Sequence, residues 1–134
     1  MADSEAAAVV LNFFELSAAG DMDACFALLD DNITWTNIGT TRFSGTYAGK
    51  EAVINDLVGP LFGELKSGID ATIDRVISEG DIAVVLQRGR AETHSGMAYN
   101  NDYAQVFTVR DGRIVAVKEY MDTALVDAVF GPAQ

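Results

Sequence analysis

Few side chains in this sequence can do acid–base chemistry near neutrality. His94 is the only histidine, and an unperturbed imidazole titrates close enough to pH 7 to serve as a general base. It lies in Glu92-Thr93-His94-Ser95-Gly96, at a predicted strand end from which solvent and a pocket mouth are equally reachable. A site of histidine plus carboxylates needs more ligands than this stretch offers, so no metal and no cofactor is expected. Cys25 is the only cysteine, which excludes an internal disulfide and any multi-cysteine metal knuckle. Its place in the apolar run 24–29 predicts a buried, inert thiol. Trp35, Tyr99 and Tyr103 can stack on a ligand or hydrogen-bond to it, although aromatic residues on a sheet also serve as plain core. Asp122 looks chemical in isolation, yet an aspartate that opens a helix is an N-cap.

Periodicity supplies the elements that must position these groups. Ser4 caps a first helix in which Val10, Phe13, Phe14 and Ser17 follow the i, i+3, i+4, i+7 stripe, and Gly20 ends it. Asp21 caps a shorter second helix whose apolar face includes Phe26, Leu28 and Leu29. Residues 33–37 read as a strand by their β-branched and aromatic content, and Asp30-Asp31-Asn32 before them as a solvated turn. Gly45 and Gly49 punctuate a turn-rich connection. A third helix over 50–65 is kinked or reset at Gly59-Pro60, because proline lacks the donor and clashes with the preceding turn. The period then changes to two, and strands are expected over 70–78, 82–94, 98–110 and 113–121. Asp111-Gly112 is a strong hairpin signal between the last two. A short C-terminal helix opens at Asp122-Thr123 and stops before Gly131-Pro132. Helices first and an antiparallel meander last predict an α+β fold with helices packed on one face of a curved sheet.

Composition sets the outer limits. The 134 residues suit one domain spanning 1–134, and a hydrophobic share of 49% suffices for a core without a staple. A net charge of −11 offers no basic stripe for nucleic acid and disfavours anionic membranes. No window approaches the roughly 18 apolar residues of a membrane span. The acidic start Met1-Ala2-Asp3-Ser4-Glu5 lacks the basic region of a secretory signal, so a cytoplasmic protein is expected.

The order α-α-β-α-β-β-β-β resembles the nuclear transport factor 2-like superfamily. The local sequence resembles its SnoaL-like, ketosteroid isomerase-related branch in four segments. These are 42–53 (RFSGTYAGKEAV), 99–103 (YNNDY), Asp111-Gly112-Arg113-Ile114 and Glu119-Tyr120-Met121-Asp122. The resemblance implies a cone-shaped, mostly antiparallel sheet with three N-terminal helices on its concave face, and a ligand held between them. It also implies a homodimer through the opposite sheet face. By analogy, and by the strand period of two, Trp35, Asn37, Arg88, Arg90, Asn101, Tyr103, Gln105, Val117 and Glu119 face the pocket, with Phe13 from the first helix.

Two chemistries of that branch can be compared residue by residue. The positions corresponding to the ketosteroid isomerase base, tyrosine and oxyanion aspartate hold Asn37, Phe13 and Gln105; asparagine cannot accept a proton near neutrality and phenylalanine cannot donate a hydrogen bond. Against limonene-epoxide hydrolase, Trp35 and Asn37 match the water-orienting pair, Arg88 the central arginine and Glu119 the water-activating aspartate. Its epoxide-protonating aspartate falls at Arg90, a poor general acid. The expected site is therefore Glu119, Arg88, Asn37 and His94 for chemistry. Trp35, Arg90, Asn101, Tyr103, Gln105 and Phe13 would hold the ligand. Pairing with Arg88 would lower the Glu119 pKa and leave Arg90 to receive an anionic oxygen. The implied partner is a small hydrophobic or aromatic metabolite. The implied activity is cofactor-free isomerisation, cyclisation, lysis or hydrolysis; a carrier or a protein-interaction adaptor of the same fold is the alternative.

Overall fold

A computed structural model describes residues 4–133; the first three residues of the acidic start lie outside it. Helix α1 spans Glu5–Ala18. The Ser4 hydroxyl accepts the Ala7 N–H at 3.1 Å as its cap, and Val10 and Phe13 are buried on its inner face. The chain leaves it through Gly20 at φ 78°, a left-handed conformation that glycine adopts without steric cost. Helix α2, Met22–Ala27, is capped by the Asp21 carboxylate.

The third helix, α3, covers 50–63 and is uneven along its length. It opens as an α-helix at Lys50–Ala52, widens to a π-helix over Val53–Val58 and closes as Gly59–Gly63. Gly59 N–H bonds to the Ile54 carbonyl five residues back. In a regular α-helix Pro60 would lose a hydrogen bond and strike the preceding turn. The wider turn accommodates it and the helix continues, which is the expected reset at Gly59-Pro60.

Strands β1 (Leu29–Asn37), β2 (Gly45–Ala48), β3 (Asp70–Glu79), β4 (Ile82–Arg90), β5 (Asn101–Arg110) and β6 (Arg113–Met121) form one curved sheet. Their order is β2-β1-β6-β5-β4-β3. Only β1 and β6 run parallel. The β5–β6 turn is the expected hairpin, with Asp111 at φ 51° and Gly112 at φ 75°. Helix α4, Thr123–Phe130, is capped by Asp122, whose carboxylate accepts the Leu125 N–H at 3.2 Å.

Three expectations about the sheet need correction. Asp30-Asp31-Asn32 lies inside β1 rather than in a turn, and the pairing with β6 shifts register across that stretch. The glycine-punctuated connection contains β2, whose residues are mostly exposed, so it has no apolar alternation to read. Strand β4 ends at Arg90 and β5 begins at Asn101. Between them the ladder narrows to the reciprocal bonds of Ala91 and Tyr99 and a bridge from Glu92 to Ala98.

The core lies between the helices and the concave face. Phe107, Leu29, Ile33, Ile114, Val10 and Val85 are fully buried there, each such side chain contributing about 1.5–3 kcal/mol of burial. A second cluster of Phe43, Leu57, Leu65, Tyr99, Val126 and Phe130 closes the far side, and Trp35 and Tyr47 pack against both.

Candidate functional site

Between these two clusters the cone is hollow. The cavity measures about 180 Å³, and its walls are mainly apolar, with Phe14 and Phe26 from the first helices, Leu57 and Leu61 from α3, and Val126 from α4. Its polar groups come from four strands. Asn37 on β1 is the direct neighbour of Glu119 on β6, and Gln105 on β5 faces Glu119 from the other side. Gln87 on β4, opposite Tyr103, reaches Gln105 on the diagonal.

These side chains form one ladder. Gln105 donates its Nε2–H to Glu119 Oε1 at 3.2 Å, and Gln87 donates its Nε2–H to Gln105 Oε1. The Trp35 indole N–H bonds to Asn37 Oδ1 at 3.1 Å and also faces the Glu119 carboxylate. Asn37 is itself fixed by donating to the Phe43 carbonyl at 3.0 Å. Among the described residues lining the cavity there is no lysine, arginine or histidine. Burial therefore pushes the Glu119 carboxyl up to about 7, and the Gln105 amide and Trp35 indole only partly offset it. Part of the Glu119 side chain stays uncovered because it borders the hollow. The apolar walls, not tight packing, keep the charge from bulk water.

A second polar group stands across the cavity. The Tyr99 oxygen receives Asn101 Nδ2–H at 3.2 Å and lies beside the Tyr103 hydroxyl. Burial raises the pKa of both tyrosines, so both are neutral donors. Bonds received at an oxygen polarise its own O–H, which makes Tyr99 the better donor of the two.

The expected site residues divide cleanly. Trp35, Asn37, Tyr103, Gln105, Glu119 and Phe13 line the cavity, and Val117 is buried on the same face. Arg88 and Arg90 do not line it. On β4 the inward residues are Ala83, Val85, Gln87 and Gly89, while both arginines are exposed on the convex side. Arg88 there grips Asp74 of β3 with Nη2 at 2.9 Å and Nε at 3.0 Å. The expected Arg88–Glu119 pair is absent, and the Glu119 pKa rises instead of falling. The sequence misleads here because Ile82, Val84 and Leu86 make the outer face of β4 apolar as well, so alternation shows no polar side.

His94 is also outside the cavity. It is exposed in the β4–β5 loop, with Nε2 3.0 Å from the Gly63 carbonyl at the end of α3. Asn101 is buried but structural: besides Tyr99 it bonds to both backbone groups of Asp122, holding α4 to the sheet. Gln87 is the site residue that sequence reasoning missed; its neighbours on β5, Tyr103 and Gln105, would have found it once the β4 register was known. Tyr99, read from the sequence as a ligand contact or as plain core, lines the cavity.

Cys25 borders the hollow but gives its thiol proton to the Phe13 carbonyl. Burial pushes it up to about 11, so it is an inert wall, as expected. Among the described residues no three His, Cys, Asp or Glu side chains come together to hold a metal ion. Nor is any helix there long and apolar enough to cross a membrane.

Comparison with known proteins agrees with the fold. The protein Bal32a from a soil-derived mobile gene cassette is 25% identical, with 93% of this chain and 95% of that one covered at a TM-score of 0.84. A SnoaL-like polyketide cyclase candidate from Jannaschia sp. CCS1 is 18% identical, with 98% and 97% covered at 0.80. TerC, co-crystallised with polyporic acid, is 19% identical, with 94% and 98% covered at 0.81. No curated protein sequence matches the chain. Residues 10–117 match the SnoaL-like domain. With its hollow α+β cone of NTF2-like fold, this chain belongs to the SnoaL-like family.

Proposed function

We propose that the cone binds a small hydrophobic or aromatic metabolite and that Glu119 acts on it as a general base. The observation that carries this reading is one buried carboxylate with no cation near it, poised at about 7 in a hollow with apolar walls. A base near the working pH couples a useful anionic fraction to a strong pull on the proton. Glu119 takes a proton from carbon beside a carbonyl group, and the electron pair moves onto the carbonyl oxygen. Tyr99, its own O–H polarised by its neighbours, donates a hydrogen bond to that oxygen. The protonated Glu119 then returns the proton at another carbon, giving isomerisation. Alternatively, the enolate attacks a second carbonyl and closes a ring, the new alkoxide taking the proton from Glu119, or it expels a leaving group that takes that proton as it departs.

Hydrolysis by the epoxide hydrolase route is not part of this reading, since Arg88 stands on the other face. Without a cation in the hollow, the ligand's oxygen is neutral on entry rather than anionic. Size limits the ligand further. A dry cavity of about 150 Å³ takes benzene, so about 180 Å³ suits one ring with short substituents rather than a fused four-ring body. Structural similarity to a polyketide cyclase candidate and to a protein co-crystallised with polyporic acid supports a small organic ligand.

The outer face of the sheet carries Val84, Leu86, Ala104, Val106 and Tyr120, with Leu86, Ala104 and Tyr120 in one row across three strands. We propose that a second copy covers it, giving a homodimer in the cytoplasm, where the lone Cys25 stays reduced.

The test is a thermal-shift screen of single-ring ketones and lactones, followed by product analysis of the hits. Glu119→Gln should lower turnover by about 10²–10⁴-fold while keeping binding. In the parent protein kcat/KM should rise with pH through about 7 as Glu119 ionises. Hits bound without product would make the protein a carrier, and turnover indifferent to Glu119→Gln would end the proposed role.

A further inference from the structure

Gln87 is 5% exposed and lines the cavity, yet its Oε1 is the one buried side-chain polar atom among the described residues that lacks a hydrogen-bond partner. A buried acceptor left unpaired is destabilising, and such an atom on a cavity wall is placed to be satisfied by what enters. Its orientation follows from chemistry. An ionised carboxylate only accepts hydrogen bonds, so Gln105 must turn its NH2 toward Glu119. Its carbonyl oxygen then points at Gln87, which must answer with its own NH2. The oxygen of Gln87 is what remains for the hollow.

We propose that Gln87 reads the ligand, its carbonyl oxygen accepting a hydrogen bond from a ligand hydroxyl or N–H while Glu119 is ionised. This rests on the pocket reading above and narrows its substrate class to hydroxylated or N–H-bearing single rings. From Glu119 on β6 to Gln87 on β4 the ladder crosses two strand spacings and a two-residue step along the strand, about 11–12 Å. The ligand's donor therefore sits at the end of the ring away from the carbon that reacts. Protonation of Glu119 makes it a donor, and the ladder can then reverse: Glu119 gives to Gln105, Gln105 gives to Gln87, and the Gln87 NH2 faces the ligand. The titratable groups that face this ladder are Tyr99 and Tyr103 beside β5 and Cys25 from α2. Burial raises all three, so they stay neutral between pH 5.5 and 8. The lining residues from α1, α3, β1, β3 and α4 bring no charge.

The experiment compares 4-ethylphenol with 4-ethylanisole, one ring with and without the donor, by calorimetry or ligand-observed NMR on the full chain. At pH 8 the protein should prefer the phenol by about tenfold, the size of one neutral hydrogen bond. At pH 5.5 that preference should shrink or invert. Gln87→Met, which keeps length and removes the acceptor, should bring the two affinities together with the ether's nearly unchanged. Equal binding of both probes by the parent protein, or a preference that survives Gln87→Met, overturns the assignment while leaving the pocket intact. Binding of neither probe overturns the pocket reading itself. A parent preference that stays the same at pH 5.5 and pH 8 also overturns the assignment, whether or not the variant folds.

Discussion

Asp74 and Glu119 are carboxylates on the same sheet, facing opposite ways. Asp74 stands in water on the convex side with the Arg88 guanidinium bonded to both its oxygens, and that hydrogen bonding lowers its pKa. Glu119 stands on the concave side with two neutral donors and no cation, and burial raises its pKa. The ion pair has the better-looking chemistry, but solvent on every side leaves it little consequence. The unpaired acid has the poorer contacts and the larger effect, because apolar walls decide what its charge costs. An ionic group is worth noticing for where it sits before what it touches.

Four substitutions test that contrast, beginning with the walls. Phe107→Ala removes a fully buried ring at the inner face of the cone and should cost about 3–5 kcal/mol in urea denaturation. Next comes Glu119→Gln, which should stabilise. Because burial raises its pKa above the ordinary 4.5 to about 7, the folded protein keeps a proton that the unfolded chain releases between those values. The associated stability is full below about 4.5 and is lost as the pH rises through about 7. The glutamine variant should therefore exceed the parent by on the order of 3 kcal/mol at pH 8, with the gap closing toward pH 5. Gly89→Ala adds a methyl 2.8 Å from Ile69 Cγ2 and 2.9 Å from Tyr103 Cε2. It should cost about 1–3 kcal/mol and weaken ring ligands by pushing Tyr103 into the hollow. Smallest of all, Asp74→Asn should move the melting temperature by no more than the scatter between replicates at any pH. A large effect there, or none for Glu119→Gln between pH 5 and pH 8, would erase the distinction between the two faces.

The architecture was legible in the sequence wherever local chemistry determines the backbone. The caps at Ser4, Asp21 and Asp122, the reset at Gly59-Pro60 and the Asp111-Gly112 turn all come from short-range rules, and each stands where expected. The site was legible on strands with one wet face. On β6, Lys118 and Tyr120 lie outward, so Val117 and Glu119 turn in; on β5, whose outer face carries Ala104 and Val106, the family resemblance rather than polarity placed Tyr103 and Gln105 inside. It failed on β4, where Ile82, Val84 and Leu86 outside mirror Ala83 and Val85 inside. With no polar side to break the tie, charge drew attention to Arg88 and Arg90, and Gln87 between them went unnoticed. His94 misled for another reason: a lone imidazole invites chemistry, but its loop holds it against the end of α3.

The parallel pairing of β1 with β6 sets a condition on how this protein comes into being. Asn37 and Glu119 sit side by side although well over half of the chain is synthesised between them. A ribosome that has extruded the first three helices and the first four strands has made most of the walls and none of the acid. Closing so long a loop is slow compared with forming hairpins. The hollow should therefore be the last part to mature, and a nascent chain stalled before β6 would expose the edge of β1 and the greasy interior together.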